Sequence, residues 1–236
     1  MVASIFSYLK KGIMSSLLCL FFCNIAWSNC DVSQIQRGQP QQLIQHPTLR
    51  VLVWNIQKAK SKHFLSDFHS LSKNGAYDLI LLQEAVFDKK YSNPYLEIKS
   101  YSMSMVDNFK LLFSANHTGV ATLSKFTPVE SSCIKTNKKE PLVGTGKMSL
   151  FTRYPIAGVS GVKLLVANVH AINFVSTAAY TREIKQIVKR IKNHKGPILL
   201  AGDFNTWTSD RLKILVSLVK KKVGLKEIKI PEEYRK

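Results

Sequence analysis

The chain has 236 residues, with 34 Lys and Arg against 15 Asp and Glu, a formal net charge of +19 and 45% hydrophobic residues. Its length suits one domain with a full core, and no repeat, low-complexity tract or linker divides it. A field of that sign attracts phosphate polymers, anionic lipid surfaces and polyanionic glycans alike, so it predicts an anionic partner without choosing one.

The first residues read as a secretory signal: Lys10 and Lys11 form a basic region, residues 13–26 are apolar, and Ala26 and Ser28 suit cleavage before Asn29. The apolar run falls short of the ~20 residues that cross a bilayer. The expectation is a secreted or periplasmic monomer with residues 1–28 removed and no stable membrane anchor. Removal takes Cys19 and Cys23 and leaves Cys30 and Cys133. An oxidising compartment permits one disulfide between them, and the sequence leaves pairing and two free thiols equally open.

Residues 29–48 are polar, with Gln at 34, 36, 39, 41, 42 and 45, and predict an exposed lead-in. The domain is expected from residue 49 to 236, starting with a buried strand at 49–56. Phe64, Phe68 and Leu71 predict a helix over 63–72, stopped by Asn74-Gly75. Residues 77–83 return as a strand, and its continuous apolar run marks a strand covered on both faces. Residues 87–116 read as loops around a strand near 102–106. Strands follow at 120–124 and 147–154, and Lys135-Thr136-Asn137-Lys138-Lys139 between them reads as a solvated hairpin connection. After a strand ending at His170, residues Ile184, Ile187, Val188 and Ile191 form the apolar stripe of a helix. Arg182, Lys185, Lys189, Arg190 and Lys192 give that helix a basic outer face. A last helix has Ser209 as N-cap, an apolar stripe of Leu212, Leu215, Val216 and Val219, and Gly224 beyond its Lys-rich end. The alternation predicts an α/β fold, a four-layer sandwich of two packed mixed sheets flanked by helices.

The chemistry gathers at strand ends. Val51-Leu52-Val53-Trp54-Asn55, Leu79-Ile80-Leu81-Leu82-Gln83-Glu84, Leu164-Leu165-Val166-Ala167-Asn168-Val169-His170 and Ile198-Leu199-Leu200-Ala201-Gly202-Asp203-Phe204-Asn205 each close on polar groups suited to one metal-assisted phosphate site. Phosphodiester hydrolysis needs charge neutralisation, a positioned water and a proton for the leaving oxygen. Mg²⁺ takes oxygen ligands and keeps several waters, so one or two side chains suffice, and Glu84 is the candidate. Alternation along an extended segment points Asp203 and Asn205 the same way. An Asx-type turn between strand and helix is the alternative for this pair.

Trp54-Asn55, Gln83-Glu84, Asn168-Val169-His170 and Gly202-Asp203-Phe204-Asn205, in that order, resemble the endonuclease/exonuclease/phosphatase family of deoxyribonuclease I over roughly residues 49–210. Thr118-Gly119-Val120-Ala121-Thr122-Leu123-Ser124 is similar to its central strand, and His170-Ala171-Ile172-Asn173-Phe174 to an uncharacterised bacterial subgroup. The resemblance implies Glu84 on Mg²⁺ (or Mn²⁺), with Asn55 orienting the carboxylate or touching the metal shell. It implies His170 at the scissile phosphate or leaving group, Asp203 on the attacking water, and Asn205 donating to a phosphate oxygen. Asn173 reads as a turn cap before Thr177. The family normally ends with a further Asp on a strand and a Ser-Asp-His signature, which nothing after Asn205 matches. The expectation is therefore a fold short of its last strand or strands, with weakened hydrolysis. The leading reading is a secreted metal-dependent nuclease. Its rivals are a sphingomyelinase-like phospholipid phosphodiesterase and a noncatalytic polyanion-binding remnant.

Overall fold

A computed structural model describes residues 30–46, 48–72, 77–87, 98–110, 116–141, 144 and 146–228. The expected signal at 1–28 and the Asn74-Gly75 stop lie outside the described residues. Nine strands and three α-helices follow in the described chain: β1 (Ser33–Arg37), β2 (Val51–Asn55), α1 (Phe64–Ser72), β3 (Leu79–Phe87), β4 (Tyr101–Lys110), β5 (His117–Ser124), β6 (Glu130–Lys135), β7 (Met148–Pro155), β8 (Lys163–His170), α2 (Thr177–Ile191), β9 (Ile198–Asp203) and α3 (Ser209–Val223). One sheet runs β1-β4-β5-β3-β2 and the other β6-β7-β8-β9. The β2/β3 and β8/β9 pairs are parallel, joined through α1 and α2, and the other pairs are antiparallel, so both sheets are mixed.

Strand alternation sorts the side chains into layers. Ile80 and Leu82 pack with Phe64 and Phe68 of α1, whereas Leu79 and Leu81 turn to the other sheet and meet Tyr154, Leu164 and Val166. Leu165, Ala167 and Val169 face away, against Tyr180, Ile184, Ile187, Val188 and Ile191 of α2 and half-buried residues of α3. The layers are α1, sheet, sheet, then α2 with α3, which is the α/β sandwich expected. Each Leu or Ile so buried contributes about 1.5–3 kcal/mol. The alternation also sends Gln83 and Asn168 into the interface between the sheets, where Gln83 Nε2 donates to Asn168 Oδ1 (2.7 Å) and Asn168 Nδ2 donates to the Ala121 carbonyl (2.9 Å). Both residues are buried, so these bonds satisfy polar groups that water does not reach.

Several local expectations differ from the fold. The polar lead-in supplies β1, which pairs with β4 from Ser33↔Met105 to Arg37↔Tyr101, and its Gln41 and Ile44 bridge to Phe126 and Ile156. Its half-exposed edge position tolerates Gln at alternate sites. The strand near 102–106 extends to the ten residues of β4. A further strand, β6, precedes the charged connection and pairs antiparallel with β7 in the other sheet; it ends at Lys135, so residues 136–139 stand in the hairpin connection between β6 and β7. Thr208, not Ser209, caps α3, its Oγ1 accepting from Arg211 N (3.3 Å). The inward stripe of α3 is Ile214, Leu215, Leu218 and Val219, while Leu212 and Val216 are exposed. Gly224 ends the helix at φ 77, a left-handed position that glycine adopts without strain. Cys30 and Cys133 form a disulfide, which closes the alternative left open by the sequence.

Candidate active site

The ends of β2, β8 and β9 meet beside a bulge in β3. Asn55, the last residue of β2, donates its Nδ2 to Asp203 Oδ2 (2.8 Å) at the end of β9, while its Oδ1 accepts from Gln57 N (3.0 Å). β9 reaches this place because Gly202 lies against β8: a Cβ there would stand 1.9 Å from the Val169 carbonyl oxygen. His170 Nε2 stands 3.9 Å from Asp203 Oδ2 and 4.0 Å from Glu84 Oε1, too far for a direct hydrogen bond and close enough for strong electrostatic coupling.

Glu84 owes its position to register. In the β3/β5 ladder Gln83 pairs with Val120 and Ala85 with Gly119, so Glu84 is extruded as an extra residue at φ 52. On the other side of the same glycine, Asp107 pairs with Gly119 and Phe109 with Thr118, which extrudes Asn108 from β4. A side chain at Gly119 would collide with the Val106 carbonyl oxygen at 1.9 Å, so the two bulges close on β5 only because that residue has no Cβ. Bulges re-aim side chains, and a left-handed non-glycine residue is a strained one that the surrounding structure must hold. Glu84 and Asn108 here line one cleft together with His170, Lys58, Thr118 and Lys147.

Two ammonium groups enter that cleft. Lys58 Nζ lies 3.4 Å from Glu84 Oε2, carried by a turn in which Lys58 itself has φ 60. Lys147 is nearly buried and pairs with the buried carboxylate of Glu140 (3.5 Å). Burial, reinforced by the Lys147 charge and opposed by Asp203 and Glu84, holds the His170 imidazole down at about 4. The ring is neutral at pH 7, able to donate one hydrogen bond and accept another. Asn108 Oδ1 and Thr118 Oγ1, from two other residues of the cleft lining, are buried and have no hydrogen-bond partner among the described residues.

Asp203 is fixed from two sides, since its Oδ1 accepts from Asn205 N (3.0 Å) while Asn55 holds Oδ2. The Asx-type turn is therefore formed, and the chain leaves extended geometry at Asn205, φ 48. The Asn205 amide donates to the Ala171 carbonyl (2.7 Å), bracing the end of β8. Contacts thus join Asn55, Glu84, His170 and Asp203, and attach Asn205 to them through its backbone. Asn173 Oδ1 accepts from Phe174 N and from Trp207 Nε1, and Ser176 caps α2.

Sequence reasoning missed both lysines and the acids behind them. Glu183, buried on α2, accepts from Thr136 Oγ1 (2.5 Å) and Ile172 N (2.8 Å), and Glu140 accepts from Asn173 N (2.8 Å). Burial pushes the Glu183 carboxyl up to about 6 against those two hydrogen bonds. These acids tie the β6–β7 connection to the β8–α2 loop and set Lys147 beside His170. The signal available was a pair of acids in an otherwise basic stretch, Glu140 after Lys138-Lys139 and Glu183 among the apolar positions of α2.

A hard divalent ion fits the oxygen donors. Among the described residues no three His, Cys, Asp or Glu form a ready-made metal cage. A single carboxylate such as Glu84 is nonetheless a sufficient anchor for an ion that keeps most of its waters.

A constricted polar cleft at the strand ends of a two-sheet sandwich defines a phosphoesterase-type site, and residues 52–216 match the endonuclease/exonuclease/phosphatase family, to which the chain belongs. Members of that family are hydrolases acting on phosphodiester bonds and generally use divalent metal ions. Within it the chain is similar to UPF0294 proteins: 35% identical over 206 residues to one from Vibrio campbellii, covering 87% of this chain and 70% of that protein. One from Yersinia enterocolitica is 32% identical over 216 residues, covering 86% of this chain and 79% of that protein. In fold it is similar to a family member from Leptotrichia buccalis, at TM-score 0.57 and 15% identity over 72% of this chain and 74% of that one. The human Nocturnin catalytic domain is similar at TM-score 0.56 and 15% identity, over 82% of this chain and 73% of that one.

Proposed function

We propose that this chain is an exported phosphodiesterase, dependent on Mg²⁺ or Mn²⁺, that hydrolyses nucleic acid. One observation carries the reading: Glu84 and Asp203 each bring a carboxylate oxygen within 4.0 Å of His170 Nε2, and Glu84 and His170 line a cleft that also receives Lys58 and Lys147. Without Lys10 and Lys11 of the leader the chain keeps 32 Lys and Arg against 15 Asp and Glu, a net charge of +17 that favours a polymeric phosphate over an isolated one. Cys30–Cys133 suits an oxidising compartment, in keeping with the signal-like leader.

A divalent ion held by Glu84, with Asn55 nearby, would supply the positive charge that polarises the phosphate. Asp203, its carboxylate held by the Asn55 side chain and the Asn205 backbone N–H, orients the attacking water and accepts its proton. The neutral His170 ring donates to a non-bridging oxygen, and Lys147 neutralises charge as it builds there. Burial of His170 and Lys147 excludes water and strengthens both interactions.

The test is hydrolysis of a labelled oligonucleotide with Mg²⁺, with Mn²⁺ and with a chelator, by the wild type, Glu84→Gln and Asp203→Asn. Metal-dependent cleavage, reduced at least 100-fold in each variant, is expected. Metal-independent cleavage or a fully active Glu84→Gln would remove the assignment. Hydrolysis of sphingomyelin vesicles but not of the oligonucleotide would transfer the site to lipid, and salt-dependent binding without hydrolysis would leave a polyanion-binding protein.

A further inference from the structure

Trp207 is 64% exposed and Phe174 58% exposed, yet neither is loosely placed. The Trp207 indole donates its Nε1 hydrogen to Asn173 Oδ1 (2.7 Å), the same oxygen that accepts from Phe174 N. One face of the Trp207 ring is covered: the Arg211 guanidinium carbon lies 5.0 Å from its centroid and 4.8 Å from that of Tyr180, a cation between two rings. Arg211 is itself buried and donates to the carbonyls of Val175 (2.8 Å) and Asn205 (3.2 Å). The ring therefore cannot fold inward. It presents its other face to solvent from an anchored edge.

That face is wired to the cleft by short contacts. Trp207 bonds Asn173, Asn173 N donates to Glu140 Oε1 (2.8 Å), and Glu140 Oε2 pairs with Lys147 (3.5 Å), which lines the cleft beside His170. In the other direction Trp207 follows Asn205, whose backbone N–H holds Asp203. We propose that the free face of Trp207, with Phe174 at its rim, is a stacking platform for a nucleobase of the substrate strand adjacent to the scissile phosphate. The inference rests on the nucleic-acid reading above and adds the contact that distinguishes a base-bearing strand from any other phosphodiester. Every base has a π-face, so such a platform gives affinity for single-stranded or unpaired segments without sequence preference. The cation on the inner face leaves the ring electrostatically suited to extend the Tyr180–Arg211–Trp207 stack by one more layer.

The experiment compares a dT12 oligonucleotide with an abasic 12-mer, binding each to the wild type, Trp207→Phe and Trp207→Ala, with tryptophan emission recorded in the same titration. The expected results are quenching of wild-type emission by dT12 but not by the abasic strand, and a loss of dT12 affinity of about 5- to 150-fold in Trp207→Ala. Abasic binding should be unchanged, and Trp207→Phe should keep most of the dT12 affinity. The phenylalanine variant retains a ring at this site, so it guards against a folding defect in the alanine one. Equal affinity of dT12 and abasic strand for the wild type would overturn the proposal, as would a blue shift with phosphatidylglycerol vesicles in the absence of quenching by dT12. Quenching and base-dependent affinity without any hydrolysis would sustain the platform and remove the catalytic reading instead.

Discussion

The Asn55 amide reaches across 148 residues of sequence to hold Asp203 Oδ2 at 2.8 Å, joining the final residues of β2 and β9, one from each sheet. Asn55→Ala leaves that carboxylate oxygen without its donor. Hydrolysis is expected to fall about 10- to 100-fold, as for other residues that orient a catalytic ligand, with a stability loss of about 1 kcal/mol. Asn55→Asp, which sets carboxylate against carboxylate, should be worse than alanine in both kinetic assays and urea unfolding. An aspartate variant as active as wild type would contradict the positioning role.

Lys147 is expected to act twice, on the phosphate and on His170. Its charge is one of the causes that hold the imidazole at about 4, so Lys147→Met should move the His170 titration upward, toward the ordinary value of 6.5, in histidine NMR of metal-free protein. Oligonucleotide hydrolysis should fall by roughly 10²- to 10³-fold, the range for losing one donor to developing charge. Because His170 stays neutral well below pH 7, wild-type activity should show no loss from protonation of this ring between pH 8 and 6.

Glu183 makes a separate pH prediction. Its carboxyl titrates at about 6 in the folded chain against an ordinary 4.5, so the folded form binds more protons between those values. The stability it contributes is complete below pH 4.5 and is lost as pH rises through about 6. Glu183→Gln keeps an acceptor for Ile172 N and a donor for Thr136, and removes the buried charge. The variant should gain on the wild type by something on the order of 2 kcal/mol between pH 4.5 and 7 in denaturant titrations. A difference that does not change with pH would show that the folded carboxyl is not perturbed.

Asn168 and Gln83 form a polar tie inside an apolar interface. Asn168→Leu takes the Asn168 acceptor from the Gln83 amide, leaving it the Leu81 carbonyl alone (3.2 Å), and should cost about 1–3 kcal/mol in unfolding free energy. Gln83→Leu combined with it should recover part of that loss, giving a positive coupling in a double-mutant cycle. Simple additivity would mean that the two amides do not depend on each other.

How much of this was legible depends on how far a feature reaches through space. The apolar runs of β2, β3, β8 and β9 and the stripe of α2 are local patterns, and their polar endings marked Asn55, Glu84, His170 and Asp203. β1 and β6 escaped because an edge strand buries few side chains, so Gln34, Gln36 and Glu130 carry no periodic apolar signal. Thr208 and Ser209 are both competent caps, and only the backbone, extended at Thr208 and helical from Ser209, separates them. The bulges at Glu84 and Asn108 arise from register against Gly119, which no window of sequence contains. Lys147 joins the site through buried Glu140, and that pairing exists only after β6 and β7 are side by side.

The sheets stack with β1 and β6 at one margin and β2 over β9 at the other. Cys30, just ahead of β1, is bonded covalently to Cys133 in β6, so the first margin is stapled shut. The opposite margin is held by reversible contacts, the Asn55–Asp203 bond among them. The sandwich is in this respect like a book bound along its spine, with its open edge where the ends of β2 and β9 bring Asn55 and Asp203 together.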